Sequence, residues 1–199
     1  MKKLFLASVF CLASITATAQ PASIPGIPGT VGRTVVTEQI PYALAPQRFF
    51  GNSVSVQIPS TFVAADQNFI AEKYPDPANY PKYVFTDNTK RPMLALNLTS
   101  NVGDRESIIH FFRDMKNDLM KAYPTARFIR SDVIRNRTLA VIEVILPNKN
   151  GDNLYNMMAF RYVGNNFFFL NFTCPQADLG IWQDTARNIA ENVKVERTN

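Results

Sequence analysis

Side chains suited to catalysis are scarce in this chain. Its 199 residues include one histidine, His110, and two cysteines, Cys11 and Cys174. A nucleophilic thiol or hydroxyl needs a base within hydrogen-bond reach and a third group to orient that base. His110 sits between Ile109 and Phe111 with no evident orienter, and no G-x-S-x-G elbow occurs. A zinc, copper or haem centre needs clustered His, Cys or carboxylate ligands, which one histidine and one distant cysteine do not supply. Asp114 and Asp118 stand one helical turn apart, but Arg113, Lys116 and Lys121 surround them. That pattern reads as a solvated helix face rather than a calcium site. No glycine-rich phosphate loop is present. The expectation is a non-enzyme without cofactor or metal, with Cys174 a small buried hydrophobe at a strand end and His110 a helix-surface residue.

Residues suited to binding are easier to find. Arg127, Arg130, Arg135 and Arg137 fall within ARFIRSDVIRNR. The odd spacing of Arg127 and Arg130 sends them to opposite faces of a strand unless a bulge intervenes. The stretch therefore reads as a solvated sheet edge and turn, or as a contact for an acidic partner or lipid headgroup. The loop EKYPDPANYPKYVF holds Tyr74, Tyr80 and Tyr83 among Pro75, Pro77 and Pro81. Such a loop is stiff and amphipathic, so it loses little entropy on binding. Its tyrosines either cap the core or meet a partner. If the domain binds a protein, the contact residues expected are Tyr74, Tyr80, Tyr83, Arg127 and Arg130. The Asn-x-Thr triplets at Asn97, Asn136 and Asn171 are discounted as glycosylation sites, because two fall inside expected strands and the leader is of bacterial type.

The elements that must position these residues centre on Thr138 to Cys174. TLAVIEVIL, LYNMMAFRYV and FFFLNFTC are three apolar runs separated by turns at Asn150-Gly151 and at Gly164 with Asn165 and Asn166. They read as an antiparallel meander that is apolar on both faces, so both faces need cover. GDRESIIHFFRDMKNDLMKAYP predicts a helix capped by Asp104, with Ile108, Phe111, Phe112, Met115, Leu119 and Ala122 on one stripe. DLGIWQDTARNIAENV predicts a second, with Trp182, Ala186, Ile189 and Val193 on one face and Gly180 as its weak point. Val54–Pro59, Phe69–Pro75, Met93–Ser100 and Ala126–Ile134 read as further strands, and Pro75, Pro77, Pro81 and Pro92 bracket Tyr83–Thr86. The fold class expected is α+β, an antiparallel β-sheet with helices packed on its faces.

MKKLFLASVFCLASITATAQ has a basic start, an apolar stretch from Leu4 to Ile15 and an Ala17-Thr18-Ala19 cleavage site. Residues 1–19 read as a secretory signal peptide, too short for a membrane span. Cys11 is a poor lipid-attachment cysteine, since bulky Phe10 precedes it within the apolar stretch. Removing Lys2 and Lys3 takes the formal net charge from +5 to +3, too modest for a nucleic-acid binder. One remaining cysteine allows no internal disulfide, so stability rests on a core; a chain this long buries about 70% of its unfolded surface. Residues 20–48, rich in Pro and Gly, read as a largely disordered linker that is a spacer or a docking strand for a partner. Within them Thr34 to Thr37 has the pattern to pair onto a sheet edge. Residues 49–199 then form a single domain.

Val54-Ser55-Val56-Gln57-Ile58-Pro59 with Phe62, then Glu72-Lys73-Tyr74-Pro75, then Trp182, Ala186, Ile189 and Val193-Lys194-Val195 follow one another around a long helix and a meander. This order resembles the PsbP/DcrB-like superfamily of small α-β-α sandwich domains, over about Asn52 to Val195. The resemblance implies a binding role rather than catalysis, since members include a photosystem extrinsic subunit, a nuclear-import GTPase cofactor, envelope lipoproteins and effector chaperones. No family functional residue maps onto a position here. The function expected is an exported, periplasmic or secreted protein that binds an envelope protein partner in an accessory or chaperone-like role. The alternative is a periplasmic small-ligand or lipid-binding module.

Overall fold

The run from Leu139 to Pro175 is rich in β-branched and aromatic side chains and folds as the expected meander. In the computed structural model, which describes residues 42–99, 105–134, 138–148 and 151–195, it comprises three long strands. In chain order the elements are β1 (Leu44–Phe49), β2 (Val54–Pro59), β3 (Val63–Ala64), α1 (Gln67–Lys73), β4 (Tyr83–Thr86) and β5 (Met93–Thr99). There follow α2 (Arg105–Ala122), β6 (Arg127–Ile134), β7 (Leu139–Leu146), β8 (Leu154–Val163), β9 (Asn166–Pro175), α3 (Leu179–Glu191) and β10 (Lys194–Val195). Seven strands pair in the order β3-β4-β5-β9-β8-β7-β6, all antiparallel, and a small second sheet has the order β1-β2-β10. The chain leaves the sheet after β5, crosses through α2 to the far edge, and meanders back until β9 lands beside β5. Gly164, at φ 59°, supplies the left-handed residue of the tight turn joining Val163 to Asn166.

Side-chain alternation along the long strands divides the core in two. Ala140, Ile142, Val144, Leu146, Met158, Phe160 and Phe167 meet Ile108, Met115 and Leu119 of α2. Leu139, Val141, Ile145, Tyr155, Met157, Phe168 and Phe172 turn the other way, toward Trp182, Ala186 and Ile189 of α3 and Val54, Val56 and Ile58 of β2. Ile108 is fully buried and Trp182 nearly so. At roughly 1.5–3 kcal/mol per large apolar side chain taken out of water, these two layers drive the fold. The architecture is thus α+β, with α1 and α2 on one face of the seven-stranded sheet and α3 with the small sheet on the other.

Two expected elements differ. Phe69–Pro75 is not a strand; Gln67–Lys73 is helical, started by Asp66, whose carboxylate accepts from the Phe69 amide at 2.8 Å. Phe69, Ile70 and Lys73 are its buried positions, a three- and four-residue step too brief to tell from strand alternation in sequence. The second difference is β1, which lies across the expected linker boundary at residue 48. It pairs along its length with β2, from Leu44 opposite Pro59 to Phe49 opposite Val54. Four of its six side chains are exposed and Pro46 sits on it, as an edge strand permits, so no apolar pattern betrays it. The signal-peptide reading of 1–19, the Thr34–Thr37 strand, the Asp104 cap and residues Arg135, Asn136, Arg137 and Asn150 lie outside the described residues.

Candidate interaction surface

Arg127 and Arg130 do share a face, because β6 is bulged. Arg127 stands opposite Ile145 and Phe128 opposite Val144, but Arg130 stands opposite Glu143, leaving Ile129 as the extra residue. Opposed residues in a sheet point the same way, and Ile145 and Glu143 are two apart on β7, so both arginines lie on the α3 side. Arg127 is exposed. Arg130 donates from Nε to Asp132 Oδ2 at 2.7 Å and through Nη1 to Glu191 on α3, tying the sheet edge to the helix. Its hydrogen bonds to Asp132 and Glu191 raise it above the ordinary guanidinium range. On the other face Lys116 of α2 donates to Ser131 Oγ at 2.8 Å, its ammonium 5.6 Å from the Phe128 ring centre.

One strand inward lies the feature sequence reasoning missed. Glu143 is fully buried. Its carboxylate accepts from Gln183 Nε2 at 2.5 Å, from Arg187 Nε at 3.0 Å and Nη2 at 3.1 Å, and from the Tyr155 hydroxyl at 3.2 Å. Burial, then the neighbouring Glu143 charge, holds the Tyr155 phenol well above its ordinary value. Partial burial pulls Arg187 down, but its hydrogen bonds and charge attraction to Glu143 outweigh this and raise it. The sequence signal was a lone charge inside an apolar strand, facing a Gln and an Arg spaced one turn apart on the last helix.

The three tyrosines do not form one surface. Tyr74 is only 4% exposed, packed with Phe69, Ile70 and Val84 on the α1 face, and its hydroxyl lies 3.8 Å from Met93 Sδ. Tyr80 is half-buried against the same cluster. Tyr83 stands opposite Leu96 and so faces the other way, its ring 5.0 Å from Phe49 and 5.2 Å from Phe50. The tyrosines therefore pack as caps of the core. β4 and β6 are five strand steps apart in the sheet, about 24 Å, so Tyr83 and the arginines belong to opposite edges.

Cys174 is fully buried, and burial, with a smaller push from Asp178 against a pull from Arg91, drives its thiol up to about 12. Arg91 and Asp178 themselves form a two-pronged pair at 2.9 and 3.1 Å. His110 is exposed, its Nδ1 3.1 Å from an Arg113 nitrogen. A buried polar chain runs under the α1 and α2 layer. Asn171 Nδ2 donates to Thr173 Oγ1, which donates to Asn156 Oδ1, and Asn156 Nδ2 donates to the Leu154 carbonyl. Asn171 Oδ1 and, on α3, Thr185 Oγ1 are buried without partners. An open, mainly polar cleft of about 360 Å³ lies between Gly151–Asn153 and Gln176–Ala177. Among the described residues no three potential metal ligands converge, and no helix is long and apolar enough to cross a membrane.

Comparison with solved structures settles the architecture. The cyanobacterial PsbP protein CyanoP from Synechocystis superposes with a TM-score of 0.54 at 12% identity, over 84% of this chain and 98% of that one. The fold is PsbP-like. The Ran-binding protein Mog1p of Saccharomyces cerevisiae shares this PsbP-like fold, with a TM-score of 0.50 at 9% identity over 77% of this chain and 96% of Mog1p. No protein-family model and no curated protein matches the sequence. At these identities the PsbP-like likeness is one of fold, in agreement with the resemblance read from the strand, helix and meander order.

Proposed function

We propose that the protein is an exported, non-catalytic component of the bacterial envelope that makes a protein contact through the outer edge of β6, in an accessory or chaperone-like role. The observation that carries this reading is the edge itself. β6 is an eight-residue strand at the end of the seven-stranded order, and among the described residues no strand pairs with its outer side. Unpaired backbone donors and acceptors in a row are a ready template for another chain.

Two further points support it. The fully buried Glu143 is engaged by Arg187, and burial keeps the Cys174 thiol protonated, which leaves both poorly placed to act on a substrate. Mog1p, with the same fold, is a Ran-binding protein, so the fold lends itself to protein recognition. Export rests on the leader-like residues 1–19.

The test is site-specific photo-crosslinking in intact cells. A photoreactive side chain at Arg127, on β6, is expected to trap one stoichiometric protein band. The same group at Val63, on the opposite edge strand, is expected to trap none. Trapping from Val63 alone, or from neither position, would overturn the proposal.

A further inference from the structure

We propose that the occupant of the β6 edge is β6 of a second copy of this chain, laid antiparallel about a two-fold axis through Ser131. This deepens the reading of β6 as a docking edge and rests on it.

The argument starts from which side chains share a face. By its register with β7, β6 turns Arg127, Arg130, Asp132 and Ile134 toward the α3 side and Phe128, Ser131 and Val133 toward the α2 side. Ile129 and Arg130 together take the place of one residue at the bulge. Set Ser131 opposite Ser131 of the second copy. Asp132 then meets Arg130 of that copy, Val133 meets Phe128, and Ile134 meets Arg127. Every opposed pair lies on a common face, and the whole strand is used. An unbulged strand in the same alignment would bring Val133 against residue 129 and Ile134 against residue 128, losing the Phe128–Val133 contact.

Charge makes the pairing self-complementary. The axis generates two Asp132–Arg130 pairs, each on the face where Arg130 already holds its own Asp132 and Glu191. Opposite charges directly across antiparallel strands attract, and like charges there repel. Bulges and charges on an edge strand ordinarily discourage association. Here the bulge and the charges are placed so that a copy of the same strand accommodates both. A closed two-fold arrangement uses up the β6 edge of each copy, so association through that edge stops at the dimer.

Ser131 is the position that tests this, because only a residue on the axis meets itself. Opposed Cα atoms in an antiparallel pair are about 4.5–5.5 Å apart, inside the roughly 4.4–6.8 Å range of a disulfide. The full chain carrying Cys11→Ser and Ser131→Cys, with Cys174 its one remaining native cysteine, is expected to form a covalent dimer on mild air oxidation. The Cys11→Ser chain, with Cys174 buried, and the same chain with Met120→Cys on the exposed side of α2 are expected not to. Sedimentation of the wild-type chain should give twice the monomer mass. Asp132→Arg and Arg130→Asp should each weaken association by about tenfold or more, and mixing the two should restore it, since each then faces its opposite charge. A monomeric wild type whose Ser131→Cys form stays uncrosslinked overturns the proposal. If photo-crosslinking from Arg127 then still traps a different protein, the docking-edge reading survives and only the self-pairing fails. If nothing is trapped, both fall.

Discussion

Arg187 lays its guanidinium along the carboxylate of Glu143, Nε 3.0 Å from one oxygen and Nη2 3.1 Å from the other, with the carboxylate at zero exposure and the arginine at about one third. The pair joins α3 to the sheet at a point otherwise made of hydrocarbon. Removing one member strands a buried charge, which costs about 3–5 kcal/mol when both groups are fully enclosed. Arg187 is partly hydrated, so Arg187→Leu is expected at the lower end, about 2–3 kcal/mol. The double variant Glu143→Leu with Arg187→Leu should recover most of that loss, since an apolar pair suits this layer. Urea titration of the three variants checks both statements.

Alkaline stability follows from two acids held protonated. The Cys174 thiol moves from about 9 to about 12 on folding, and the Tyr155 phenol is also raised. Above pH 9 the unfolded chain releases the thiol proton while the folded chain keeps it, so unfolding gains. The stability tied to this proton is fully present below pH 9 and is lost as pH rises toward 12, at no more than about 1.4 kcal/mol per pH unit. Cys174→Ala should therefore flatten the decline in melting temperature between pH 9 and 11, although it lowers stability at pH 7 by removing a buried side chain. The native thiol should also resist an aromatic disulfide reagent at pH 8 and react once urea unfolds the chain.

The directional chain from Asn171 through Thr173 to Asn156 makes its members unequal. Thr173→Val removes the middle hydroxyl and leaves both Asn171 Nδ2 and Asn156 Oδ1 unpaired in the core, at an expected cost of about 2–3 kcal/mol. Asn171→Leu removes an amide whose Oδ1 already has no partner, and Thr185→Val removes a hydroxyl in the same position. Each of these two should change stability by less than about 1 kcal/mol or raise it. Melting temperatures that ranked Thr173→Val above Asn171→Leu would contradict the hydrogen-bond direction.

How much of this was legible in the sequence depends on the range over which each signal acts. The meander was readable because runs such as TLAVIEVIL and FFFLNFTC carry their strand preference locally. The long helix was readable from Ile108, Met115 and Leu119, which repeat over several turns. α1 was not, since seven residues give its buried Phe69, Ile70 and Lys73 too little length to separate two periods. β1 was hidden by Pro46 and by a solvent-facing surface whose stability comes from pairing with β2, a contact no local pattern records. The tyrosine loop carried the residue types of a binding surface, but Tyr74 closes α1 on one face of the sheet while its place on β4 turns Tyr83 to the other. The bulge at Ile129 decides where Arg127 points, and it exists only in the register between β6 and β7. Glu143 was visible as an oddity; its partners Gln183 and Arg187 are some forty residues away and meet it only through the packing of α3.

Gly180 offers a check on the helix itself. It is the second residue of α3, exposed, with no atom within 4 Å of where a β-carbon would stand and no positive φ to forbid one. Alanine there should restrict the unfolded chain without meeting a neighbour in the folded one. A glycine in a helix interior costs up to about 1 kcal/mol against alanine, and less in the first turn, so Gly180→Ala should raise stability by about 0.5 kcal/mol. The gain should appear as a shifted urea midpoint at unchanged slope, because the surface buried on folding is unaltered. A loss of stability would mean that α3 begins later than Leu179. The pair between Arg91 and Asp178, which sits just before that first turn, would then be anchoring a loop rather than a helix start.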